Sequence, residues 1–147
     1  MKDIKSGSQG SYPIYLTAVK NKLYFYATDD TNDKELWVSD GTAGGTSMLK
    51  AIKSGGNGDL NYLFAAPSNI YTSKLYFQAN DGNGRALWQS DGTPTGTLKV
   101  ANAGKAGTTT MNAPGVPLGV LNDNDLLFAG VESGQLAPSV WMLCTQS

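Results

Sequence analysis

The clearest local pattern along this chain is a period of two. Leu23, Phe25 and Ala27 fall on one side of a strand, with Tyr24 and Tyr26 on the other. Both sides carry bulky groups, which suits a sheet covered on its two faces by neighbouring sheets. Polar breaks follow, Asp29-Asp30-Thr31-Asn32-Asp33 and later Asn80-Asp81-Gly82-Asn83-Gly84. Asn, Asp and Gly tolerate positive φ, so these breaks read as hairpin turns. Four strands are predicted in the first stretch, over residues 14–19, 22–27, 35–39 and 46–52. Met48, Leu49 and Ile52 ahead of Gly55 also fit a short helix with a glycine stop. The matching run Gly96-Thr97-Leu98-Lys99-Val100-Ala101 reads as strand, and strand is retained for both.

The pattern recurs. Lys22-Leu23-Tyr24-Phe25 returns as Lys74-Leu75-Tyr76-Phe77 and, more faintly, as Asp125-Leu126-Leu127-Phe128. Leu36-Trp37 followed by Ser39-Asp40-Gly41-Thr42 returns as Leu87-Trp88 followed by Ser90-Asp91-Gly92-Thr93, and Val140-Trp141 echoes the pair again. The spacing of about 51 to 53 residues is typical of propeller blades and of longer trefoil units. The chain therefore reads as one all-β repeat domain over 1–147. Unit one covers about 6–52, unit two about 53–103 and unit three about 104–147.

Unit three stops after its Trp141 strand. Its missing fourth strand is expected at the other terminus, because Met1-Lys2-Asp3-Ile4-Lys5-Ser6-Gly7 matches Leu49-Lys50-Ala51-Ile52-Lys53-Ser54-Gly55. Residues 1–5 are thus expected to complete the last unit, a closure that removes an open sheet edge. Three blades are fewer than the roughly four to eight that close a ring. The expectation is a homodimer forming a six-bladed β-propeller. The alternative is a monomeric β-trefoil.

Composition removes several function classes. Histidine is absent, and with it the commonest general base and transition-metal ligand. The one cysteine, Cys144, allows no intrachain disulfide, and it reads as a small apolar filler without a basic partner. A formal net charge of −1 creates no field to gather nucleic acid or an anionic membrane. No apolar run approaches the roughly 18 residues of a membrane span. The opening residues lack a signal-peptide core, so the chain reads as cytoplasmic or as a mature piece of a secreted protein.

The segment Glu35-Leu36-Trp37-Val38-Ser39-Asp40-Gly41-Thr42-Ala43-Gly44-Gly45-Thr46 resembles the ELWxSDGTxxGT-type repeats, also called hyalin-like, of bacterial surface and secreted proteins. Ala86-Leu87-Trp88-Gln89-Ser90-Asp91-Gly92-Thr93-Pro94-Thr95-Gly96-Thr97 matches with Ala in place of Glu. The resemblance covers units one and two and reaches unit three in outline. It implies a propeller-like fold and an extracellular or cell-surface setting, and no particular activity.

Candidate sites are weighed against plain structural roles. Asp40 and Asp91 are expected to accept turn amides, with Gly41 and Gly92 at positive φ, because a feature repeated in every unit serves the fold first. Trp37, Trp88 and Trp141 recur at one position and are candidate sugar-stacking platforms, although a central strand tryptophan more often packs between sheets. Asp30, Asn32 and Asp33, with Asp29, form the polar cluster of unit one; Asp81, Asn83 and Arg85 form that of unit two. Asp29, Thr31, Asp33 and Glu35 loosely resemble a calcium loop but lack the turn glycine and distal glutamate of an EF-hand, leaving calcium a minor alternative. No feature selects a carboxylate pair for glycoside hydrolysis. Asn102-Ala103-Gly104-Lys105-Ala106-Gly107-Thr108 lacks phosphate-loop spacing and reads as a linker.

The expected function is therefore non-enzymatic. A multivalent binding module with glycan or protein ligands, lectin-like in its carbohydrate version, is favoured because a repeated scaffold offers equivalent sites. The alternative is a structural or assembly domain of a bacterial surface protein. No cofactor, nucleic acid or membrane partner is expected.

Overall fold

A computed structural model describes residues 2–66 and 74–100, together with the backbone of 111–121, 125–132 and 139–144. It is all-β in these residues. Strands β1 (Ile14–Val19), β2 (Lys22–Ala27), β3 (Glu35–Ser39) and β4 (Ser47–Lys50) form one antiparallel sheet in sequence order. Strands β5 (Asn61–Ala66), β6 (Lys74–Asn80), β7 (Arg85–Ser90) and β8 (Leu98–Lys99) form a second in the same order. Strands β9 (Met111–Leu121), β10 (Asp125–Glu132) and β11 (Ser139–Cys144) form a three-stranded third. Among the described strands every pairing lies within a unit. A trefoil barrel would pair strands between units.

The repeat extends to the register. Phe25 pairs Trp37, Phe77 pairs Trp88 and Phe128 pairs Trp141. The first hairpin of each four-stranded sheet carries a bulge at one place, between Ile14 and Thr17 in β1 and between Asn61 and Phe64 in β5. Insertion of a residue there bends the strand and re-aims its side chains.

The first two sheets pack front to back. Sheet one presents Tyr24, Tyr26, Leu36 and Val38; sheet two meets them with Leu75, Phe77, Ala79 and Trp88, in one buried cluster. The alternation read from sequence explains this, because each strand has an apolar set on either side and can face a neighbour both ways. Tyr26, fully buried, sets its ring edge-on to Phe77 at 6.5 Å, and Phe77 stacks on Trp88 at 6.3 Å. Polar ties run across the same junction. The Tyr26 hydroxyl donates to the Asn61 carbonyl at 3.3 Å, and Lys50 Nζ donates to the Thr97 carbonyl at 2.7 Å while lying 6.0 Å from the Trp88 ring centre.

Two expectations are corrected. The fourth strands are shorter than read: Ser47–Lys50 replaces 46–52, and Leu98–Lys99 is only two residues long. The Glu35 carboxylate draws the Ile52 and Lys53 amides out of any ladder, so the chain leaves the strand after Lys50. Residues 2–5, expected to complete the third sheet, form no strand. They lie on sheet one instead. Ile4 packs with Phe25, Ala27 and Trp37, and Lys2 Nζ donates to the Thr46 carbonyl at 2.9 Å. Ile52 belongs to the buried cluster that holds Phe77, Ala79 and Trp88. The terminal match to residues 49–55 is therefore structural, but what repeats is mostly the linker after the strand. Met1, the expected linker Asn102 to Thr108 and the side chains of Trp141 and Cys144 lie outside the described residues.

Candidate functional site

The Ser-Asp-Gly-Thr turns are built alike in both units. Asp40 Oδ1 accepts the Thr42 amide at 2.9 Å and its hydroxyl at 2.8 Å; Asp91 Oδ1 accepts the same two groups of Thr93 at 2.9 and 2.7 Å. These bonds hold both carboxyls below the usual carboxylate range. Each threonine then accepts an amide, from Gly45 or Gly96, at 2.9 Å. The next threonine closes the turn. Thr46 and Thr97 donate to the Thr42 and Thr93 carbonyls at 2.6 Å, and each shares a hydrogen bond of 2.7 Å with Ser39 or Ser90. A side chain on Gly45 or Gly96 would collide with the aspartate of its own turn. The Ser, Asp, Thr, Gly and Thr positions of the motif are thereby occupied in holding the turn.

The tryptophans are not platforms in the two units whose side chains are described. Trp37 and Trp88 are 5% and 7% exposed, so neither ring offers a face to a sugar. Among the described residues their indole nitrogens have no hydrogen-bond partner. The polar loops are also largely engaged. Asp30 accepts the Ser6 amide and hydroxyl, tethering the N-terminal segment to the turn after β2. Asp29 gathers the amides of Thr31 and Asn32 and the Asn32 side chain. Asp81 accepts the Asn83 amide and pairs with Lys99 at 3.3 Å. Arg85 pairs with Asp59 at 2.6 Å. Asp33 is exposed.

The proposed calcium series does not converge. Glu35 turns inward, completely buried, and accepts the Ile52 amide at 2.8 Å and the Lys53 amide at 3.2 Å. Burial pushes its carboxyl up to about 7, against the opposing pull of the two amides. Among the described residues no group of three or more His, Cys, Asp or Glu side chains could hold a metal.

What the structure adds is an aromatic pair on neighbouring strands. Tyr15 and Tyr62 occupy the same place in the β1 and β5 bulges, have φ of 53° and 52°, and are both 42% exposed. A bulky side chain at positive φ costs about 1–3 kcal/mol, a cost that clusters where a conformation serves binding or catalysis. Tyr12 and Leu16 extend the exposed surface, at 69% and 60%. The Tyr15 ring is braced edge-on by Tyr26 at 5.5 Å, and the Thr17 hydroxyl reaches the Leu63 carbonyl at 3.4 Å, tying the two strands together. On the segment entering β5, Asp59 pairs with Arg85 of β7, and the Asn80 amide donates to the Gly58 carbonyl. In β9 Pro117, opposite Phe128, takes the corresponding register.

These tyrosines were legible in principle. Tyr15-Leu16 and Tyr62-Leu63 repeat, but the longer connection ahead of Lys74 hides their common distance from the better-matched strands. A separate cleft of about 130 Å³ lies between residues 20–22 of the first hairpin and residues 90–92 of the second unit's turn. It is smaller than the roughly 300 Å³ of small-molecule sites.

Comparison of the chain with protein-family models, curated proteins and solved structures finds no match in any of the three. The function must therefore be argued from the geometry.

Proposed function

We propose that this protein is a non-enzymatic, multivalent binding module whose ligand is carbohydrate. The observation that carries the proposal is the pair Tyr15 and Tyr62, equally exposed and held at equivalent strained bulges on adjacent strands. A tyrosine ring offers an apolar face to the C–H face of a sugar, and its hydroxyl offers a polar edge to the sugar's own hydroxyls. Arg85 and Asp59, paired at the entry to β5, supply charged groups that could orient a ligand on the same unit. Two sites on a rigid scaffold gain avidity from a ligand with repeated sugars.

The sheets are proposed to be propeller blades of the ELWxSDGTxxGT type, at the bacterial cell surface or outside the cell. Support comes from front-to-back packing of four-stranded meanders and from the duplicated turn chemistry. Two chains of three units would give a six-bladed ring, within the roughly four to eight that close. The test is a glycan array followed by calorimetry on its best ligand. Binding that is lost in Tyr15→Ala with Tyr62→Ala supports the proposal, whereas no binding to any glycan overturns it. The alternative role in assembly is favoured by a different surface, at the outer side of sheet one.

A further inference from the structure

We infer that the outer side of sheet one is an interface for the third sheet of a second copy of this chain. The inference rests on the blade reading above and names the partner and the surfaces that meet. It comes from comparing equivalent residues of units one and two, since among the described residues a sheet packs on that side of unit two and none packs there on unit one.

Leu63 is 9% exposed where its counterpart Leu16 is 60% exposed. Leu75, Ile52 and Leu60 are 2%, 7% and 1% exposed; their counterparts Leu23 and Ile4 are half-buried, and Pro13 is exposed. In unit two these apolar groups belong to the cluster closed by sheet one. The same contrast appears at the turn glycines. The Tyr24 hydroxyl of sheet one closes over Gly92, whereas a side chain on Gly41 would meet open space. Sheet one thus carries the surface by which a unit receives its predecessor, apolar residues included.

The linker agrees. Lys50 leaves sheet one and caps the Thr97 carbonyl of the next unit; Lys2 caps the Thr46 carbonyl in the same way. Residues 2–7 therefore lie on sheet one as the tail of a preceding unit lies on its successor. The surface that fits is the one sheet one itself offers to sheet two. In the third sheet Leu127 holds the register position of Tyr24 and Tyr76, next to the Phe128–Trp141 pair. A contact between unlike surfaces of two copies is heterologous, and it either closes a ring or continues as a filament.

The test is sedimentation of the full chain across concentration, with disulfide trapping of the Gly41→Cys, Leu127→Cys variant in a Cys144→Ser background. Expected are self-association to at least twice the mass of one chain, its loss in Leu16→Glu, and an interchain crosslink under mild oxidation. A wild-type chain that stays monomeric at about 100-fold the concentration of a micromolar dimer overturns the inference. So does a crosslink formed within one chain, which would place the third sheet on the first of the same molecule. A monomer that still binds glycan fails this inference alone; an assembly that binds none supports it and fails the carbohydrate reading alone.

Discussion

The hydroxyl of Tyr24 stands where a side chain on Gly92 would begin, so a residue of one unit dictates glycine in the turn of the next. Gly41 holds the equivalent turn, with φ of 93° against 89°, and among the described residues no atom would come within 4 Å of a side chain there. Two identical motifs therefore differ in what their glycines do.

Substitution separates these roles. Gly41→Ala is expected to cost about 1 kcal/mol, from backbone conformation alone. Gly92→Ala should cost about 1–3 kcal/mol more, because the added methyl must displace the tyrosine. Tyr24→Phe combined with Gly92→Ala should recover part of that excess. Urea unfolding checks the order, and equal losses at the two glycines would refute the contact.

Glu35 predicts a pH dependence of unusual direction for a carboxylate. Its folded value of about 7 lies above the ordinary 4.5, so the folded chain holds this proton more tightly than the unfolded chain. The associated stability is fully present below pH 4.5 and is lost as pH rises through about 7. The loss should be of the order of 1–3 kcal/mol. Asp29, Asp40, Asp81 and Asp91 are shifted downward and act oppositely, giving stability that is lost as pH falls through their lowered values. Thermal unfolding between pH 5 and 8 should show the falling arm in the native chain, and Glu35→Gln should flatten it. A native midpoint that does not fall over this range would count against the assignment.

Thr97 is completely buried and joins the end of β7 at Ser90 to the turn at Thr93 through one hydroxyl. Thr97→Val keeps the shape but strands the Thr93 carbonyl and the Ser90 hydroxyl. A loss of about 1–3 kcal/mol is expected in chemical denaturation. Ser90 also accepts the Gly92 amide at 3.0 Å, so a loosened turn should show as faster hydrogen exchange at Gly92.

Tyr62 should trade stability against binding. Tyr62→Gly relieves the positive φ of 52°, and the folded state should gain up to about 1 kcal/mol or stay unchanged. Glycan affinity should fall about tenfold for each tyrosine removed, matching about 1.4 kcal/mol of stacking. A variant that loses stability and keeps its affinity would reverse both expectations.

Much of the fold was legible because each unit repeats its own chemistry locally. Strand positions around Leu23 to Ala27 and Glu35 to Ser39 follow from alternation and turn residues within a few positions of one another. The tethering role of Asp30 was hidden, since Ser6 lies far away in sequence. Glu35 was hidden for the same reason. Beside Leu36-Trp37 it reads as part of a surface motif, and only the approach of Ile52 and Lys53 turns it into a buried clamp. Trp37 and Trp88 repeat visibly, but repetition does not distinguish a core ring from a binding ring.

By itself the sequence determined the all-β class, the first three strand positions of unit one and the turn chemistry, since these depend on residues close together along the chain. Only the tertiary structure decided that the first two sheets pack front to back, that residues 2–7 lie on the first sheet and that Tyr15 and Tyr62 stand equally exposed at equivalent bulges. Those outcomes depend on which distant surfaces meet. Alternation that is apolar on both faces permits such packing without choosing the partner.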